Sequence, residues 1–115
     1  MTPAEALDQH RMFIAEDGET IQIRRFTGSG SSRTAVDTPT TARVITLGAA
    51  STEGNITQFR YKIIALVDTL SAVLPVTTAD RVALDNGKEL AILDPGDRKR
   101  RLAGVLIALE MECEG

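Results

Sequence analysis

A chain of 115 residues with a formal net charge of −3 fits one domain, and it lacks the basic excess of a surface built for nucleic acid. One cysteine and one histidine allow neither an internal disulfide nor a zinc cluster within one chain. No apolar run approaches ~18 residues and no charged-then-apolar leader opens the chain, so neither membrane spanning nor secretion is expected. With no Trp and 3% aromatic residues, the core must be built from Val, Ile, Leu and Ala.

Thr2-Pro3-Ala4-Glu5 opens a helix: Thr2 caps, Pro3 suits the first helical position and Glu5 completes a capping box. The helix should run to about Glu16 and end at Gly18 as a left-handed terminator. Ala6, Leu7, Phe13 and Ile14 form a narrow apolar stripe, suited either to this domain or to a neighbouring subunit.

Glu19 to Phe26 reads as the first strand, with Ile21 and Ile23 on one face and Arg24 and Arg25 near its end. Thr27 to Thr41 is rich in Gly, Ser and Thr and reads as a long loop carrying Arg33. Thr41 to Leu47 is a second strand. Ala49 to Gln58 reads as another long polar loop, and Phe59 to Val67 as a strand whose second half is apolar on both faces. Asp68 to Leu74 is a short helical turn or an extended excursion, ended by Pro75. Two long loops in so compact a domain are more often functional than accidental.

The last third, Asp80 to Cys113, reads as three antiparallel strands. A two-residue Asn86-Gly87 loop would put Val82 and Leu84 on the face opposite Leu90 and Ile92. A three-residue loop, Asp85-Asn86-Gly87, gathers all four on one face and places Gly87 at the left-handed position. In the final strand Val105, Ile107, Leu109, Met111 and Cys113 point inward, while Ala108, Glu110 and Glu112 point outward. Between them, Arg98, Lys99, Arg100 and Arg101 follow the Asp94-Pro95-Gly96-Asp97 turn. This basic run is either a solvated hairpin turn or a contact for phosphate or an acidic partner, more so if Arg24, Arg25, Arg60 and Lys62 converge on it.

Chemistry has little to stand on here. His10 reads as a solvated helix residue and Cys113 as a small inward hydrophobe. Thr27-Gly28-Ser29-Gly30 lacks the lysine and helix of a phosphate loop. Asn55-Ile56-Thr57 matches a glycosylation acceptor, but a chain with no leader does not meet that machinery. The expectation is a non-enzyme without cofactor or metal: one mainly β domain over residues 1–115, with an N-terminal helix (1–18) and a small antiparallel β-barrel or sandwich of about six strands (19–115).

The stretch Gly18-Glu19-Thr20-Ile21-Gln22-Ile23-Arg24-Arg25-Phe26-Thr27-Gly28, the Asp80-Arg81-Val82…Gly87-Lys88 strand pair and the Gly-led strand from Gly104 to Cys113 together carry a resemblance. The chain resembles, over nearly its whole length, the head–tail connector family of tailed bacteriophages and gene transfer agents, also called head-closure, stopper or head–tail joining proteins. It departs at Gln58-Phe59-Arg60, where the family commonly shows Gly-Asp-Arg.

The resemblance implies a β-barrel that assembles in the host bacterial cytoplasm into a homo-oligomeric ring, typically a dodecamer, and resides in the virion neck. A portal or adaptor ring would lie above it and a tail terminator or tail tube below. Packaged DNA would pass through the lumen, and no membrane is involved. The gate would be the loop Ser51, Thr52, Glu53, Gly54, Asn55, Ile56, Thr57 and Gln58. Ring contacts are expected at Leu7, Phe13, Ile14 and Arg33, and a tail-, adaptor- or DNA-facing turn at Arg98 to Arg101. Two other readings stay open: an adjacent adaptor or tail-terminator ring protein, and a small nucleic-acid-binding β-barrel.

Overall fold

The structure is a computed structural model that describes the backbone of residues 1–53 and 56–115, and the side chains outside residues 50–57. Helix α1 (Pro3–Asp17) is followed by seven strands: β1 (Glu19–Thr27), β2 (Thr34–Glu53), β3 (Ile56–Leu66), β4 (Arg81–Leu84), β5 (Glu89–Asp94), β6 (Arg100–Leu102) and β7 (Val105–Glu114). The sheet runs β3-β2-β1-β4-β5-β7, and a further β3–β7 pairing closes it into a six-stranded antiparallel barrel. Short β6 adds to the edge of β7 beyond its pairing with β5.

The capping box at Thr2 and Glu5 forms as its spacing predicts. The stripe behind it packs on the outside of this barrel. Ile14 is buried with Ile64, Leu66 and Ala108, and Leu7 and Phe13 are partly buried against that cluster. Ile14 is therefore closed off within its own chain, and a neighbouring subunit could reach only Leu7 and Phe13. Gly18 is extended (φ −78°, ψ 156°) rather than left-handed. It suits the site because a side chain would collide with the Ile14 carbonyl and crowd Thr41.

Inside the barrel, Ile21, Ile23, Ile63, Val82, Leu90, Ile92, Leu109, Met111 and Cys113 interlock from successive strands. Residues 67–80 bring Leu70, Val73 and Val76 into the same core over one mouth of the barrel. The three-residue β4–β5 loop forms with the register its pattern requires: Val82 opposite Leu90, Leu84 N–H donating to Lys88 O at 2.8 Å, and Gly87 at φ +87°. Two positions on β7 differ from the period-2 expectation. Val105 is 46% exposed, because it precedes the barrel wall and pairs only with Leu102 of β6. Ala108, on the outer face, is buried beneath α1.

The two expected long loops are mostly strand. β1 and β2 pair from Glu19–Ala42 to Thr27–Thr34, leaving only a short 3₁₀ turn, Gly30–Ser32, between them. Pro39 fits within β2 because β2 pairs only with β1 at that level; its β3 pairing begins at Ala42. At the other end, β2 and β3 stay paired to Glu53–Ile56.

Candidate functional site: two projecting hairpins and a neutralised basic strand

Strand direction sets which features share an end of the barrel. One end carries the β1–β2 hairpin, the 67–80 segment and the chain leading into β6 and β7. The other carries the β2–β3 hairpin, the β4–β5 turn and Gly115. Strand β2 belongs to both hairpins, so they project in opposite directions. Its 20 residues would span roughly 63 Å if straight. The longest extent of the molecule is 48 Å, so β2 bends, and irregularities at Thr46/Gly48 and Ala49/Ser51 mark where.

The second hairpin leaves the barrel at Phe59. There Phe59 and Gly115 exchange two backbone hydrogen bonds of 3.0 and 3.1 Å, which are the last contacts from a third strand. Beyond them β2 pairs only with β3, and a two-stranded arm continues for roughly 13 Å from Ala49 to Glu53. Lys88 braces its root. The ammonium donates to the Tyr61 hydroxyl at 3.2 Å and lies 5.8 Å from the centre of the Phe59 ring. Of the expected gate, the side chains of Ser51, Thr52, Glu53, Ile56 and Thr57, and all of Gly54 and Asn55, lie outside the described residues; Gln58 is exposed.

The first hairpin is shorter. Past Arg24, β1 has only β2 as a neighbour. Arg33 stacks over the Phe26 ring at 3.6 Å near the tip, and Thr27 and Thr34 share a hydroxyl hydrogen bond of 2.9 Å. At its base, Arg25 turns toward the barrel mouth and donates to both oxygens of Asp80 at 3.0 Å, and to the carbonyls of Val73 and Pro75. Burial pushes the Asp80 carboxyl up, but the bonds from Arg25 and Thr77 outweigh it and hold the group below its ordinary value. Arg24 faces outward instead, clasping Asp37 and Glu89.

The basic run is part turn and part strand: Arg98 and Lys99 lie in a turn that leads into β6. Arg100 and Arg101 lie in β6, and the reversal into β7 is made by Ala103 and Gly104, at φ 51° and 77°. The run faces the acidic outer side of β7. Arg100 donates to Glu110 Oε1 at 2.9 Å, and Lys99 lies 3.5 and 3.4 Å from Glu110 and Glu112. Arg101 is occupied by the carbonyls of Asp97 and Gly104. Burial raises the Glu110 carboxyl, but Arg100, Lys62 and Lys99 together draw it below its ordinary value. Lys62 thus joins the cluster, whereas Arg24 and Arg25 are committed elsewhere. Arg98 and Arg101 have no carboxylate partner among the described residues.

His10 is not simply solvated. Nδ1 donates to the Ala6 carbonyl at 2.8 Å, which leaves Nε2 to accept from Arg100 at 3.0 Å. Arg100 therefore joins α1, β6 and β7. The adjoining cleft, ≈ 370 Å³, is lined by Gln9, His10, Phe13 and Arg100. Among the described residues no three His, Cys, Asp or Glu side chains converge to hold a metal ion.

No family model, curated protein or solved structure matches the chain.

Proposed function

We propose that the chain is a structural connector that assembles as a ring in the neck of a phage-like particle, closing the DNA channel after packaging and docking the tail. The observation that carries this reading is the two-stranded arm beyond Phe59. A closed barrel has no edges to spare for it, so the arm is an appendage on a rigid base. Repeated around a ring, such arms would narrow a lumen by steric obstruction, with no bond made or broken. The polar residues 51–58 and the net charge of −3 suit a channel that lets DNA pass without gripping it. The same charge pairing weighs against a nucleic-acid-binding barrel, because Lys99 and Arg100, half of the basic run, are paired with Glu110 and Glu112.

The partners under this reading are further copies of the chain, a portal or adaptor ring above and a tail component below. Electron microscopy of intact particles tests it by locating the chain. A ring between adaptor and tail, with residues 49–58 in the lumen, is the expected result. A ring at the adaptor or tail-terminator level would move the protein within the neck. A monomer that binds DNA with steep salt dependence would overturn the proposal.

A further inference from the structure

The mouth of the barrel above β6 and β7 carries an apolar groove of ≈ 270 Å³. It is lined by Leu74, Val76, Leu106 and Leu109, with Asp97 and Arg101 beside them. Leu74 is 36% exposed, so the apolar surface continues out of the groove. The Asp97 carboxylate makes no ion pair with any described residue, whereas Arg101 is held by two carbonyls.

Two facts of topology say what fits there. The β1–β2 hairpin projects from this same end of the barrel. In the closed order β1-β4-β5-β7-β3-β2, β1 and β7 are three strands apart in either direction, so the β7 wall of the groove lies across the mouth from the hairpin, while its Leu74–Val76 wall reaches back to Arg25 at the hairpin base. The hairpin presents an aromatic ring capped by a cation, Phe26 beneath Arg33, and Arg33 has no carboxylate partner among the described residues. Apolar meets apolar, and an unpaired cation meets an unpaired carboxylate.

We propose that the groove receives the tip of the β1–β2 hairpin from a second copy of the chain, with Arg33 of that copy meeting Asp97. Because donor and acceptor patches differ and share one end of the barrel, the contact is head to tail and, where its rotation closes, repeats around a ring. The choice of a second copy as occupant rests on the ring reading above.

Disulfide trapping tests the contact. Arg33→Cys and Asp97→Cys are made as separate proteins, mixed and oxidised; Cys113, fully buried, does not compete. A bond between the two variants can form only between copies. Its yield should exceed that of Arg33→Cys mixed with Glu16→Cys by roughly tenfold, since a specific contact raises the local concentration of the paired thiols. The double variant should give a ladder of multimers. In the charge-reversal pair, Arg33→Asp alone should weaken self-association about three- to tenfold, and Asp97→Arg in the same chain should restore it. Rings seen in particles without the cross-link would overturn the groove contact and leave the ring reading standing. Neither cross-link nor ring would overturn both.

Discussion

Arg25 and Asp80, 55 positions apart, meet through two hydrogen bonds of 3.0 Å, and this pair fastens the first hairpin to the segment lying over the barrel mouth. Asp80 is 2% exposed. Arg25→Ala would leave that carboxylate without its cation and the Val73 and Pro75 carbonyls without their donor. Asp80 is buried but the Arg25 side chain is one-third exposed, so the loss should fall below the about 3–5 kcal/mol that breaking a fully buried pair costs. The urea midpoint of Arg25→Ala should fall accordingly, whereas Arg33→Ala at the exposed tip should shift it little.

The same pair sets part of the acid limb of stability. Asp80 titrates below its ordinary value in the folded chain, so the stability it contributes is complete above the unfolded pKa, about 3.9. That contribution drains away as pH falls through the lower folded pKa. Glu110 and Asp37 are shifted the same way and share this limb. Asp80→Asn should be less stable at neutral pH, and its unfolding free energy should fall less steeply below about pH 4. An unchanged slope would remove Asp80 from the acid response.

Residues of the basic run should behave unequally. Arg100→Ala cuts the link between α1, β6 and β7 and should cost about 1–2 kcal/mol. Amide exchange in β6 should quicken with it. Arg98→Ala should stay within about 0.5 kcal/mol, as for a surface side chain with no fixed partner. Equal losses would show the network has no role in holding β6.

Two glycines separate backbone strain from collision. Gly87 at φ +87° has no atom within 4 Å of a would-be side chain, so Gly87→Ala should cost about 1 kcal/mol from strain alone. Gly96, at φ +68°, accepts a hydrogen bond of 3.2 Å from Glu110 N–H, and a methyl there would drive into the Glu110 backbone. Gly96→Ala should cost about 3 kcal/mol or more, measured by chemical denaturation.

Cys113 offers a probe of barrel opening. Burial, followed by the Glu112 charge, pushes its thiol up to about 12. A thiol reagent at pH 8 should leave the native chain unmodified for hours and label it at once in denaturant. Fast native labelling would mean that the β3–β7 seam opens readily.

Shortening the arm should spare the barrel. If residues 50–58 are replaced by an Asn-Gly turn, Ala49 still pairs with Phe59, every pairing of the closed barrel remains, and thermal stability should change by no more than about 1 kcal/mol. Under the proposed connector reading, a particle carrying this variant should assemble its neck yet leak DNA.

What was legible in the sequence was local. The Thr2–Glu5 cap and the Asp85-Asn86-Gly87 loop are specified by residues within a few positions of one another, and both formed as read. The polar hairpins read as loops because their Gly, Ser and Thr content resembles turns. Thr34, Val36, Thr38 and Thr40, β-branched at every second position, carry the strand signal. The acidic outer face of β7 was visible in Glu110 and Glu112, but no local rule brings it to Lys99 and Arg100 until β6 folds back. The Arg25–Asp80 pair joins elements that only barrel closure makes neighbours.

Strand β7 is a wall shared by β3, β5 and β6. On the ribosome, everything up to β5 is made before that wall exists. The nascent sheet therefore waits with β3 and β5 as two open edges, its apolar interior uncovered between them. The barrel shuts only when Leu109, Met111 and Cys113 emerge, so closure waits for β7, and stalling within that strand would release a sticky, unclosed sheet.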